Sequence, residues 1–127
     1  MVVFDTSLLI DATKNKKYVL NLIESYLGKE QIATTIITKY ELLRGATEQN
    51  LGFVLELLGR FVILDFGEEA VYEAAKVYKS LSEQGKLISE LDFLIVGIAA
   101  ANNETIVTKD RDFLKLESDR ITVLSQT

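Results

Sequence analysis

The amino-acid sequence predicts an α/β fold, with a mostly parallel five-stranded sheet and helices on both of its faces. Three observations predict it. Short β-branched runs alternate with longer stretches of helical periodicity along the whole chain, the pattern of βα units. The chain is 48% apolar over 127 residues, enough to bury roughly two-thirds of its unfolded surface around a core of its own. Several runs stop on polar or acidic residues, as they do where an open sheet gathers its ligands.

The elements run in order. Val2-Val3-Phe4 is a short apolar run that ends at Asp5-Thr6-Ser7 and reads as a buried strand. Val19, Leu22, Ile23, Tyr26 and Leu27 hold helical spacing, with Gly28 as the stop. Residues 31–34 read as a second strand. Thr38 is placed to cap a helix through Tyr40, Glu41, Leu42 and Leu43 to Gly45. Leu51, Val54, Leu55 and Leu58 mark a further helix ending near Gly59. Residues 61–64 read as a third strand. Residues 68–84 form an amphipathic helix with acids at its start and Gly85 at its end. Leu91, Leu94, Ile95, Ile98 and Ala99 give another. Residues 105–108 and 121–124 supply the fourth and fifth strands.

A chain of this length fits one domain, residues 1–127. Its apolar runs are too short to span a bilayer. Met1-Val2-Val3-Phe4-Asp5 lacks the charged-then-apolar shape of a signal peptide, so the expected location is the cytoplasm. The mean hydropathy is +0.17, and disorder is excluded. His, Cys, Trp and Pro are all absent. That removes thiol nucleophiles, Cys-rich zinc sites and imidazole acid–base pairs. Polar chemistry must then come from carboxylates, hydroxyls, Lys and Arg, or a hard metal such as Mg²⁺ or Mn²⁺ on carboxylate oxygens.

The acids that sit at strand ends and helix starts are the candidates. Asp5 follows the first strand, and Asp110 and Asp112 follow the fourth. Glu41 lies near the start of the helix after the second strand, and Asp92 near the start of the helix before the fourth. If the first and fourth strands are neighbours where strand order reverses, these acids share one mouth. Each also has a plain structural reading: Thr38-x-x-Glu41 is a capping-box pattern, Ser89-x-x-Asp92 nearly one, and Asp5 and Asp110 suit caps or turns. Taken together the acids point further. Asp5 lies between Phe4 and Leu8-Leu9-Ile10, and Asp92 between Leu91 and Phe93-Leu94. Gathered, half-buried carboxylates repel one another, and a divalent cation relieves both penalties.

Four blocks carry a resemblance: Val3-Phe4-Asp5-Thr6-Ser7 with Leu9-Ile10-Asp11; Thr38-Lys39-Tyr40-Glu41-Leu42-Leu43-Arg44-Gly45; Leu91-Asp92-Phe93-Leu94-Ile95 with Ala99-Ala100; and Val107-Thr108-Lys109-Asp110-Arg111-Asp112-Phe113. In this order they resemble the PIN-domain nucleases, most closely the VapC-type toxins of toxin–antitoxin systems. The resemblance implies a three-layer α/β/α sandwich and a Mg²⁺- or Mn²⁺-dependent endoribonuclease. Carried over by position, Asp5, Glu41, Asp92 and Asp110 are the site acids, with Ser7 and Thr108 as polar orienters. The last block is the loosest match, and Asp112 is close enough to share or replace the role of Asp110. The resemblance also implies a homodimer and a cognate antitoxin whose tail blocks the site.

The expected chemistry is hydrolysis of an RNA phosphodiester by water on one or two ions held by Asp5, Asp92 and Asp110, with Glu41 near enough to take a proton. Lys39, Arg44, Lys109 and Arg111 flank the acids and are candidate phosphate contacts; Lys and Arg are also ordinary surface residues. The chain is acidic, with 19 acidic and 14 basic residues and a pI near 4.8, against the usual trend for nucleic-acid binders. Setting the four site acids aside leaves 15 acidic against 14 basic residues, close to neutral. Two other readings stay open: a Mg²⁺-dependent phospho-acceptor or phosphatase-like domain, and an interaction module without activity. A PIN nuclease of RNA processing is the alternative to a toxin. Phe53 and Leu57 fall off the main apolar stripe of their helix; core or weak exposure is the first reading for them, and apolar surface left for a partner is the other.

Overall fold

Successive side chains of a strand point to opposite faces of its sheet, and this alternation divides the core of the protein in two. Val2, Phe4, Ile32 and Val107 lie in one cluster, with Leu8, Leu9, Val19, Ile23, Val54 and Leu58. Val3, Ala33 and Ile106 lie in the other, with Leu81, Phe93, Ile95, Ala99 and Phe113. Two buried sheet faces, each closed by helices, give the three layers. The structure is a computed structural model that describes residues 1–116, 118 and 120–124; the remaining positions of the expected 1–127 domain lie outside the described residues.

The elements run β1 (Val2–Phe4), α1 (Thr6–Thr13), α2 (Lys17–Leu27), β2 (Ile32–Thr35), α3 (Ile36–Gly45), α4 (Leu51–Leu58), β3 (Val62–Leu64), α5 (Glu68–Glu83), α6 (Glu90–Ala101), β4 (Thr105–Thr108), a 3₁₀ helix (Arg111–Leu116) and β5 (Ile121–Val123). The sheet has five strands in the order β3-β2-β1-β4-β5. Every pairing is parallel, so the sheet is wholly rather than mostly parallel. β1 pairs with β2 on one side and β4 on the other, with Val2 opposite both Ile32 and Thr105. Strand order reverses between β1 and β4, and a crevice at the carboxyl ends of those strands is where such sheets place ligands.

Two features depart from the sequence reading. Thr6–Thr13 is a helix, where the sequence pattern shows only an apolar run after a strand; Asp5 caps it. Helix α3 begins before Thr38: Thr35 is the cap, and its hydroxyl accepts the Thr38 N–H at 3.0 Å. Of the two residues off the stripe, Leu57 is buried, in line with the core reading, and Phe53 is exposed. Leu57 packs with Val54 and Leu58 in the core cluster beneath β1.

Helix α6 lies so close to α5 that a Cβ on Gly97 would stand 2.5 Å from the Ala70 carbonyl oxygen and 2.6 Å from the Ala74 Cβ. Only glycine allows that approach. Tyr78 and Phe93 add an edge-to-face contact across the same pair, with centroids 5.2 Å apart. Among the described residues no helix is long and apolar enough to cross a membrane.

Candidate active site

The site starts where β1 ends. The Asp5 N–H completes the ladder by donating to the Val107 carbonyl at 3.2 Å, and the chain then turns into α1. As the N-cap, Asp5 accepts the Leu8 N–H on Oδ1 at 3.3 Å. The same carboxylate takes hydroxyl donors from two segments. Ser7 donates to Oδ1 at 2.8 Å and to Oδ2 at 3.0 Å. Thr108, the last residue of β4, donates to Oδ2 at 2.6 Å. Asp5 is 2% exposed, and burial pushes its carboxyl up to about 6, against the pull of Thr108, Ser7 and the Leu8 amide and with the help of the Asp92 charge. The cap and the site are thus one residue in two roles.

Thr108 also organises the residues after it. Its oxygen accepts the Asp110 N–H at 2.9 Å, and Asp110 in turn accepts the Asp112 N–H at 2.9 Å. Ser7 and Thr108 lie within 3.3 Å of each other. The two expected orienters therefore both bear on Asp5. Asp112 is placed differently from the expectation that it could stand in for Asp110: it is exposed, and its carboxylate turns to Lys115 at 3.5 Å.

Glu41 arrives through a line of buried hydroxyls. Thr35 donates to Thr38 at 3.2 Å, Thr38 and Thr6 are 2.9 Å apart, and Thr6 donates to Glu41 Oε1 at 2.7 Å. Since Thr6 gives its proton to Glu41, Thr38 is the donor to Thr6, and each hydroxyl donates toward the carboxylate. The expected capping box from Thr38 to Glu41 is absent, because the cap belongs to Thr35 and Glu41 faces Thr6. Arg44 lies 3.7 Å from Glu41 Oε2 and over the Tyr40 ring, 5.1 Å from its centroid.

Asp92 is the third residue of α6, with its N–H on the Ser89 hydroxyl at 3.2 Å. This is the N-cap half of the pattern that the sequence suggests. Burial lifts the Asp92 carboxyl above its ordinary range; the Ser89 side chain opposes this, and the charges of Asp110, Glu41 and Asp112 add to it. Asp92 also raises Asp5. The four acids from four segments thus feel one another at the carboxyl mouth of β1 and β4.

Among the described residues, however, no three carboxylates lie close enough to make a ready cage for one ion. The sequence reading brings them to a shared ion at contact distance. In the structure Asp5 and Glu41 take hydroxyl partners instead. The donor set still suits Mg²⁺ or Mn²⁺: it is all carboxylate and hydroxyl oxygen, and its buried aspartate is held by neutral donors. Both Asp5 oxygens already accept hydroxyl hydrogen bonds and the residue is buried, which suits holding a cation better than attacking a phosphoryl group.

The four basic candidates divide. Arg44 and Arg111 are exposed and Lys39 is half-buried. Lys109, expected at phosphate, instead donates to Asp11 Oδ2 at 2.6 Å. Asp11 is the residue whose role the sequence reading missed. It is 3% exposed, and it takes Lys16 at 3.3 Å and the Tyr18 hydroxyl as well as Lys109. Burial pushes its carboxyl up, but Lys109, Tyr18 and Lys16 outweigh burial and leave it below its ordinary range. The same burial and hydrogen bond raise the Tyr18 hydroxyl. A signal for it exists in the sequence: Asp11 sits between Ile10 and Ala12, an acid in an apolar run just as Asp5 is.

A doubly wound parallel sheet with acids from several segments at its switch point defines a class of carboxylate-site α/β domains. Within that class the chain belongs to the PIN-domain family, whose model matches residues 2–118. It is 32% identical to Ribonuclease VapC1 of Methanocaldococcus jannaschii, over 87% of this chain and 76% of that protein. It is 27% identical to the tRNA(fMet)-specific endonuclease VapC of Salmonella typhimurium, over 92% of each. Among solved structures, DNA-bound VapBC from Salmonella typhimurium superimposes with a TM-score of 0.84 at 25% identity, covering 97% of this chain and 98% of that one.

Proposed function

We propose that the protein is an endoribonuclease and the toxin of a toxin–antitoxin pair, with Asp5, Asp92 and Asp110 holding Mg²⁺ or Mn²⁺ and Glu41 serving as proton acceptor. The observation that carries this is Asp5: a buried carboxylate at the switch point, held by the neutral hydroxyls of Ser7 and Thr108, with the Asp92 charge raising it further. The comparisons support the reaction class, since the relatives carry ribonuclease and endonuclease names. When bound, a divalent ion supplies a water of lowered pKa and positive charge for the phosphate oxygens. The chain does the rest. Ser7 and Thr108 fix the lone pairs of Asp5, and Thr6 orients Glu41 so that one carboxylate oxygen stays aimed at the proton it accepts. Arg44, Lys39 and Arg111 bind phosphates on the flanks, which offsets the acidic net charge locally.

The partners belong to the same reading. A chain of similar fold comes from a toxin–antitoxin complex of Klebsiella pneumoniae, and the solvent face of α4 leaves Leu51, Phe53 and Leu55 exposed. We assign this apolar face to an antitoxin segment, and we take the active particle to be a homodimer. The decisive experiment is cleavage of total cellular RNA with and without Mn²⁺, with the cut ends mapped, comparing wild type with Asp92→Asn. Mn²⁺-dependent cuts that vanish in the variant are expected. Equal cutting by both, or none by wild type, would remove the nuclease reading.

A further inference from the structure

We propose that Asp11 and Lys109 form a clamp that holds the 108–112 segment over Asp5, so that Asp11 is a positioning residue for the site. The proposal rests on the reading of Asp5, Asp92 and Asp110 as the acids that hold the ion. Lys109 lies between Thr108, which donates to Asp5, and Asp110, which it precedes. Its ammonium crosses to Oδ2 of Asp11 at 2.6 Å, while Oδ1 is met by Lys16 at 3.3 Å and the Tyr18 hydroxyl closes the network.

The geometry makes this more than an ion pair. Asp5 and Asp11 are the cap and the sixth residue of one helix, α1, roughly 9 Å apart along its axis at 1.5 Å per residue. That helix is fixed: Leu8, Leu9 and Ala12 are fully buried. Adjacent residues of the 108–112 segment therefore reach one rigid rod at two separated points. Beyond Thr108 the segment is next anchored at Phe113, which is buried in the core. The Asp11 tie adds a fixed point between these two, just before Asp110, whose own N–H rests on Thr108. Three donors converge on the buried Asp11 charge, one of them from the far end of the chain. Such a network is built to hold a place. It also withholds from RNA an ammonium that lies beside the site.

The test uses the full chain and three readouts: amide hydrogen exchange in chelator, titration with Mn²⁺ alone, and RNA cleavage. The variants are Lys109→Met, Lys109→Arg, Asp11→Asn and the double variant Asp11→Asn/Lys109→Met. In Lys109→Met the Asp110 and Asp112 amides should exchange about tenfold faster or more, while those of α5 keep their rates. Mn²⁺ should bind about tenfold more weakly, and kcat should fall with KM for RNA unchanged. Lys109→Arg should restore all three, and the double variant should be no worse than Asp11→Asn alone. Lys109→Met leaves Asp11 with Lys16 and Tyr18, so it decides the matter even if Asp11→Asn does not fold. A rise in KM alone would mean that Lys109 serves RNA directly and would overturn the clamp, as would unchanged exchange at Asp110 and Asp112 or a rise spread over the whole molecule. If wild type neither binds Mn²⁺ nor cuts RNA, the nuclease reading fails by itself, and the exchange rates still judge the clamp.

Discussion

Asp5 and Asp11 make a controlled comparison inside one protein. Both belong to α1, both are almost without exposed surface, and both are tied to the end of β4. Their partners differ. Among the described residues Asp5 receives hydroxyls and an amide, and its carboxyl is pushed up to about 6. Asp11 receives two ammonium groups and a phenol, and its carboxyl sits below its ordinary range. Burial raises both, so the charge of the donor separates them. A buried carboxylate supplied with cations is a structural element, complete as it stands. One supplied with neutral donors is oriented and still in want of positive charge, which is the condition of a metal ligand.

The largest expected effect tests that distinction on catalysis. If Asp5 is a ligand, as proposed, Asp5→Asn should reduce Mn²⁺-dependent RNA cleavage by at least about a hundredfold, whereas Asp11→Asn should reduce it by about tenfold through position alone. Asn keeps the N-cap of α1, so the Asp5 variant should fold, as circular dichroism would report. Equal losses in the two variants would erase the contrast between ligand and clamp.

Stability should respond with opposite signs. The Asp5 carboxyl is higher in the folded chain than in the unfolded one, so the fold retains a proton that the unfolded chain has released. Stability should therefore fall as pH rises from about 3.8 to about 6, and stay reduced above that. A rise of that size corresponds to about 3 kcal/mol at neutral pH, at 1.36 kcal/mol per pH unit. Asp5→Asn should recover much of it in chelator and flatten the profile across that window. Asp11 works the other way: its carboxyl is lower in the fold, so its contribution is present above about pH 4 and disappears on acidification. Asp11→Asn should lose on the order of 2 kcal/mol at neutral pH. Urea melts of both variants at pH 4 and pH 7.5 measure the signs, and a destabilised Asp5→Asn at pH 7.5 would show that its hydroxyl bonds outweigh its burial.

Asp92 offers a third way of placing an acid, by packing. Its helix is set by the close approach of α5 and α6 at Gly97. Gly97→Ala should cost about 2 kcal/mol, because its Cβ meets the Ala70 carbonyl and the Ala74 backbone and Cβ, none of which is the end of a flexible side chain. Activity should fall as Asp92 moves, while the Asp11 network keeps its exchange protection. Thermal melts and exchange on the same variant separate the two sides of the site.

Much of this is legible in the sequence, and the rest is hidden for definite reasons. Alternating β-branched and helical segments predict the parallel sheet, and acids after strands predict the mouth, because both are local patterns. Helix α1 is concealed by its composition: Leu8, Leu9 and Ile10 run together without helical spacing, since the short helix is buried on more than one side. The cap of α3 is ambiguous by one turn because Thr35 and Thr38 are equally good caps in isolation, and only the register of β2 ends the strand at Thr35. The Asp11–Lys109 pair joins residues 98 apart, and no local rule finds such a pair.

The smallest expected effect lies in the hydroxyl line to Glu41. Thr38→Val keeps the volume and removes the middle donor, leaving the Thr35 hydroxyl without its acceptor in a buried place. Stability should fall by about 1 kcal/mol. The Thr6 bond to Glu41 survives, so kcat should fall by about fivefold or less, the equivalent of about 1 kcal/mol, with Mn²⁺ affinity unchanged. Thr6→Val should cost more, since it cuts the line at the carboxylate itself. If Thr38→Val were as damaging as Glu41→Gln, the hydroxyls would act as a unit with Glu41 and not as its support, and neutral donors would then count for as much at this site as the lysines do at Asp11.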